Sequence, residues 1–299
     1  MLQATGTSVK IQLSQIKQYG AKSSCIVTQL WALQVSTATK NKDLHTMATQ
    51  VDIKDLLAAG AHFGHKTSRW HPKMAQYIHS KRNGSHVIDL TKTVDCLELA
   101  LPFITKTVSE GKQVLLVSTK RQAAEVVQAA AEATNMPFVV NRWLGGMMTN
   151  QKTIGGRIKH LKNLEDRMAN GELAAKYGKL EVQRFAEEID AMNILYGGIK
   201  NMAAKVGAVF VVDILADKNA VSEAAKLGIP VVAIVDTNTD PTGITYPIPS
   251  NDDAAKAIKL IVGYVQAAIE EGKATQKQPE AAKVADDAKK PTPNQLQKN

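Results

Sequence analysis

"QVLLVST" at residues 113–119, followed by "KRQAAEVVQAAAEAT" at 120–134, decides the fold. The first stretch is a continuous apolar run of the kind a strand buried on both faces requires, and the second consists almost wholly of strong helix formers. Together they make a βα unit. The rhythm returns downstream. "MPFVV" (136–140) reads as a short second strand, and "GAVFVVDI" (207–214) and "IPVVAIVDT" (229–237) flank the helical "KNAVSEAAKLG" (218–228), which ends on Gly228 with Pro230 just beyond. Val/Ile runs alternating with helices predict an α/β fold, a parallel sheet covered on both faces. "SNDDAAKAIKLIVGYVQAAIEEG" (250–272) starts with Ser250 and acidic residues, then spaces Ile258, Ile261, Val262, Val265 and Ile269 along one stripe, a helix that closes the core.

Residues 150–196 break this alternation. Ile154, Ile158, Leu161, Leu164 and Met168 form one helical stripe, "ANGE" (169–172) forms a turn, and Leu173, Tyr177, Leu180, Ile189, Met192 and Tyr196 line much of a second. Two antiparallel helices follow. Either they project as a coiled-coil hairpin or they cover the sheet as ordinary helices, and the pattern alone leaves both open.

The organisation is then 47–149, a first part of the α/β body with a basic N-terminal segment; 150–196, the helical hairpin; and 197–271, the second part of the body. Residues 1–46 hold no Arg and a single carboxylate, Asp43, and do not resemble a domain. They read as a disordered extension or a misassigned start, with Met47 opening "MATQVDIKDLLAAG"; an organellar transit peptide is the alternative. Residues 272–299 are too polar to offset their ordering entropy and read as a disordered tail.

Among 299 residues, 37 Lys and Arg face 28 Asp and Glu, a formal net charge of +9 that favours polyanionic partners. Two cysteines are too few for a disulfide framework or a cysteine-based zinc module, and no apolar run reaches the roughly 18 residues a membrane span needs. Signatures of nucleotide chemistry are missing too: no P-loop, no G-x-G-x-x-G after the first strand, no G-x-S-x-G elbow. No catalytic residue and no cofactor is assigned. A rival reading uses Asp213, Asp236 and Asp240, at or after strands, for a metal-dependent phosphoesterase-like enzyme; the plainer account of Asp236, Asn238 and Asp240 is turn formation before Pro241.

"HFGHKTSRWHPKM" (62–74) raises the question of metal, since five of the seven histidines lie between 62 and 86. His62 and His65 would seed a zinc-stabilised interaction module, but Gly64 breaks the helix that would aim them together and no cysteine or acidic partner stands close by in sequence. Charge points elsewhere. Lys66, Arg69, Lys73, Lys81, Arg82 and Lys92 are opposed in this region only by Asp89. Lys120, Arg121, Arg142, Lys152 and Lys159 add to the set, with Arg157, Lys162 and Arg167 on the first hairpin arm. Such cations neutralise phosphates, while Phe63, Trp70 and Tyr77 serve mainly to pack the segment against the body.

"AGAHFGHKTSRWHPKM", "TKRQAAE", "NRWLGGMMTN", "GGIKNM" and "GIPVVAIVDTNTDPTGITYPIPSNDDA" together resemble the bacterial-type uS2 family of small-subunit ribosomal proteins, in order from about Met47 to Gly272. That resemblance implies a flavodoxin-like, doubly wound body with a protruding helical hairpin. It implies binding to small-subunit ribosomal RNA, a part in docking ribosomal protein bS1, no membrane, no small-molecule substrate, and a place in the cytoplasmic small subunit of a bacterium. Two departures stand out: His71 between Trp70 and Pro72, and "NMAAKVGAVF" (201–210), which lacks the glycines common there.

Overall fold

The structure, a computed structural model, describes residues 51–287; the extension read over residues 1–46 lies outside the described residues. Helix α1 (Ile53–Ala59) begins where the Asp52 carboxylate accepts the Lys54 N–H and stops at Gly60 in the left-handed conformation. Three short strands follow: β1 (Phe63–Lys66), β2 (Ile78–Arg82) and β3 (Ser85–Ile88), paired antiparallel in the order β1-β3-β2. Asn83 and Gly84, at φ 51° and 76°, form the two-residue turn between β2 and β3; two positive φ values in succession match the twist of a tight hairpin.

Helix α2 (Leu90–Ser109) leads into the main sheet, built from β4 (Val114–Val117), β5 (Phe138–Val139), β6 (Ala208–Val211), β7 (Val231–Val235) and β8 (Tyr246–Pro249). All pairings are parallel, in the order β5-β4-β6-β7-β8. Counted within this sheet, that is the flavodoxin-like order 2-1-3-4-5, with its switch point between β4 and β6. The parallel sheet covered on both faces that the Val/Ile runs predict is observed, in the doubly wound order that the family resemblance implies.

Alternation along the strands divides the core in two. Val114 and Leu116 of β4, Ala208 and Phe210 of β6, and Val232 and Ile234 of β7 face a layer containing Leu56 of α1, Leu97 and Ile104 of α2, Val127 of α3 (Arg121–Ala133), and Ile258, Ile261 and Val265 of the last helix. Leu115, Val117, Val209, Val211, Val231, Ala233 and Val235 face the other layer, with Met74, Tyr77, Trp143, Met147, Ile154, and Ala220 and Ala224 of α7 (Lys218–Leu227). Burial on both faces is why these strands read as uninterrupted hydrophobic runs.

Between β5 and β6 stand α4 (Gln151–Ala169), α5 (Glu172–Lys176) and α6 (Lys179–Tyr196). Leu161, Leu164 and Ile189 form a small core of their own, with Met168, Phe185, Met192 and Tyr196 packed on it. Ile154 and Ile158, counted in the same stripe from sequence, pack on the body instead, so the first turns of α4 behave as a covering helix. The last helix, α8 (Ala255–Asp287), runs past the 271/272 boundary at which the sequence reading begins a disordered tail. Lys, Gln, Glu and Ala sustain a helix without apolar burial, and an interior glycine costs only about 1 kcal/mol. Gly272 is also used: a Cβ there would stand 2.6 Å from the Thr105 carbonyl oxygen of α2. Residues 288–299 lie outside the described residues.

Candidate nucleic-acid interface

The basic segment is held to the body chiefly through Thr237, just after β7. Its hydroxyl accepts the His65 N–H at 2.9 Å and its carbonyl accepts the His71 N–H at 2.8 Å. Gly64 lies under the same side chain, where a Cβ would approach Thr237 Cγ2 to 2.6 Å, so only glycine lets β1 come this close. Asn251, after β8, adds an N–H to the Ala61 carbonyl at 3.1 Å and a side-chain amide to that of Gly60 at 3.2 Å.

Register sorts the side chains of this small sheet. His86 and Ile88 of β3 are buried, and Ile78 and Lys81 of β2 are their cross-strand partners. Ser85 and Val87 point the other way, with Arg82 and Lys66 flanking Ser85 and Phe63 beside Val87. Lys66, Lys81 and Arg82 thus crowd the hairpin end, with Arg69 following in the next turn; all are exposed, and none has a carboxylate partner among the described residues. Of the aromatics expected to anchor the segment, Tyr77 does so and Trp70 lies half-buried against His86, their ring centroids 5.2 Å apart. Phe63 does not: it is 57% exposed, because β1 is an edge strand and turns this residue to the open face.

At the C-terminal ends of β4, β6, β7 and β8 a second charged group assembles, and its charge balance is inverted. Lys120 Nζ lies 2.6 Å from Asp253, 2.9 Å from Asp252 and 3.5 Å from Asp213. Burial alone would lower the Lys120 pKa, but its hydrogen bonds to Asp253 and Asp252 outweigh that and hold it above the ordinary value. Asp252 is pushed up by burial and by the neighbouring charges of Asp236 and Asp213, with Lys120 offsetting part of the rise. Asp217 is likewise raised by burial, while one of its oxygens accepts the Thr119 N–H at 3.0 Å. His65 bridges Asp236, at 3.0 Å from Nδ1, and Asp253, at 3.4 Å from Nε2; the hydrogen bond to Asp236 raises its pKa against the opposing effect of burial.

The candidate cations therefore separate by environment. Lys120 is enclosed in carboxylates. Lys73 donates to Asp240 at 2.8 Å and to Thr242 at 2.7 Å, and Lys92 donates to the Gln76 carbonyl and approaches Asp89. Lys66, Arg69, Lys81, Arg82, Arg121, Arg142, Lys152 and Lys159 remain exposed. Sequence reading missed Asp252 and Asp253 as partners of Lys120 because it assigned them to the start of the last helix.

Among the described residues His62 belongs to no group of three or more donors close enough to share a cation; it packs on Phe63, ring centroids 3.9 Å apart, and its burial lowers its pKa. Donor atoms of His65, Asp236 and Asp252 do fall within 4.8 Å of one another, so these are the residues that could converge on a cation. Asp240, grouped with Asp213 and Asp236 in the enzyme reading, is engaged instead by Lys73, and its Oδ1 accepts the Thr242 N–H in a turn that spans Pro241.

The body is thus flavodoxin-like, with an acidic strand-end edge in which Lys120 is enclosed and with cations displayed elsewhere, and similarity to known proteins gives its class. The family described as Ribosomal protein S2 matches residues 56–272. A small ribosomal subunit protein uS2 of Dehalococcoides mccartyi is 51% identical over 210 residues, covering 70% of this chain and 85% of that protein. One of Bifidobacterium longum is 47% identical over 223 residues, covering 75% and 79%. These matches define a structural protein of the small ribosomal subunit, not an enzyme. The chain belongs to the ribosomal protein uS2 family.

Proposed function

We propose that this protein binds small-subunit ribosomal RNA through the cations the fold leaves unpaired, foremost Lys66, Arg69, Lys81 and Arg82, with Arg121, Arg142, Lys152 and Lys159 as dispersed contacts. The observation that carries this reading is the hairpin end: Lys66 and Arg82 flank Ser85 in one row, with no carboxylate paired to them among the described residues. Like charges gathered on a small sheet cost stability, and a phosphate backbone relieves that cost. Contacts of this kind position the protein on folded RNA by its shape. Lys120 is set apart as a structural cation. Lys73 and Lys92 are secondary, since each must leave a partner to meet phosphate.

Around this RNA contact the reading places an antiparallel hairpin of α4 and α6 that projects from the body, residence in the bacterial cytoplasm, and a part in docking ribosomal protein bS1. Near-continuous exposure of residues 174–184 supports the first point. The test is salt-dependent binding of the purified full-length chain to small-subunit ribosomal RNA. Affinity falls steeply as salt rises if phosphates are neutralised, and a flat response overturns the proposal. For bS1, subunits depleted of this protein lose bS1 in a sucrose gradient and regain it when the protein is restored; retention in the depleted particles refutes the docking role.

A further inference from the structure

Open α/β sheets usually bind phosphate at the C-terminal ends of their strands. Here that edge holds Asp213, Asp217, Asp236, Asp252 and Asp253 and repels a phosphate. The opposite edge has the complementary character. Where the chain enters β4, β6 and β7, a cleft of about 580 Å³ is lined by Lys106, Lys112 and Lys205, with Glu110 the one carboxylate on its wall. Glu110 is already taken, at 2.7 Å from Lys112 Nζ. Lys205 has no partner among the described residues and falls in "NMAAKVGAVF", the stretch that departs from the family's glycine pattern.

The cleft is built, not incidental. A Cβ on Gly207 would stand 2.5 Å from Thr107 Cγ2 and 2.6 Å from Lys112 Cβ, so the base is close-packed around a position only glycine fits. Lys106, in the last turn of α2, complements that helix's negative end. Lys112 and Lys205 sit outside the helices; Lys112 is paired with Glu110, and Lys205 supplies charge beyond that need.

We propose that this cleft seats a backbone phosphate of ribosomal RNA as a second contact point, separate from the basic three-stranded sheet; the inference rests on the RNA-binding reading above. The basic sheet is fastened beyond the C-terminal ends of β7 and β8, and the cleft opens at the N-terminal ends. The two sites are separated by at least the length of a strand, roughly 13–17 Å. Together they hold two RNA segments, or two stretches of one folded RNA, against a rigid body.

The experiment compares the full-length chain with a Lys106→Gln/Lys112→Gln/Lys205→Gln variant on small-subunit ribosomal RNA across a salt series. Each phosphate that is no longer neutralised lowers the salt slope by roughly 0.7 to 0.9, so loss of the one seated phosphate is expected to lower it by about that amount with an unchanged melting temperature. The matching Lys→Arg variant retains the slope. Equal slope and affinity in the Gln variant overturn the inference, as does a lowered melting temperature with RNA binding intact, which makes these lysines helix-end groups. Lys205→Glu, in an exposed loop, is the single-site check and must weaken binding more than a Lys179→Glu control on α6. If the unmodified chain does not bind RNA, the underlying reading fails; if it binds and only the cleft variants are silent, the cleft alone fails.

Discussion

The strand ends around Lys120 and the small sheet around Lys66 are both cation-bearing stretches of a basic chain, and the fold uses their charges in opposite ways. Around Lys120, carboxylates from after β6 and β8 close on one ammonium group, 15% exposed, and the charge is consumed in holding strand ends together. Around Lys66, backbone bonds to Thr237 and Asn251 hold the sheet and the charges are left open. The difference teaches that net charge is not a measure of what a surface offers: a lysine is available to phosphate only where other bonds do its structural work.

Removing Lys120 gives the largest effect. Lys120→Met leaves Asp213, Asp252 and Asp253 facing one another without their counter-charge and costs about 3 kcal/mol. Thermal denaturation should show a drop of roughly 6–12 °C, with RNA affinity of the folded fraction unchanged. A melting point within about 2 °C of the parent erases the contrast between the two regions. The converse variant, Lys66→Gln/Lys81→Gln/Arg82→Gln, changes stability by no more than about 0.5 kcal/mol per site. Its RNA-binding salt slope falls by roughly 2 to 3, as filter binding would reveal.

Lys73 is the intermediate case and gives the smallest effect. Its pair with Asp240 is well exposed, so Lys73→Met costs about 0.2–1 kcal/mol. The effect depends on pH. Partial burial raises the Asp240 pKa, but the Lys73 bond and two bonds from Thr242 outweigh it and bring the value down to about 2. A carboxylate depressed in the folded state adds stability above its ordinary value near 4, and that contribution is lost as pH falls from about 4 toward 2. In Lys73→Met the Asp240 carboxyl should titrate closer to its ordinary value in a side-chain NMR titration; an unmoved titration assigns the depression to Thr242 alone.

Much of the body was legible because burial on both faces writes itself as uninterrupted Val and Ile. The strand Tyr246–Pro249 was not, since "YPIP" carries two prolines, which the parallel edge position of β8 tolerates and a sequence pattern discounts. Helix α2 went unread across Pro102. The three-stranded sheet is too short and irregular in register for periodicity, although Asn83-Gly84 between polar and aliphatic residues was a usable hairpin signal. As for the site, the family motifs located the basic segment, and charge counting nominated its cations. It could not separate Lys120 from Lys66, because the Asp252 partner of Lys120 lies 132 residues further along the chain. Exposure of Phe63 was hidden for a related reason, since edge position is a property of strand order.

The bonds through Thr237 and Asn251 also set a timetable. The β2–β3 hairpin can close within a few residues of its own synthesis, but its anchors are remote: His65 waits for Thr237, 172 positions later, and Gly60 for Asn251, 191 positions later. Contacts of such separation form late in folding, and a ribosome delivers them last. A nascent chain therefore carries its basic ribbon unseated until nearly all of the body has emerged, and a product truncated before Thr237 lacks both anchors.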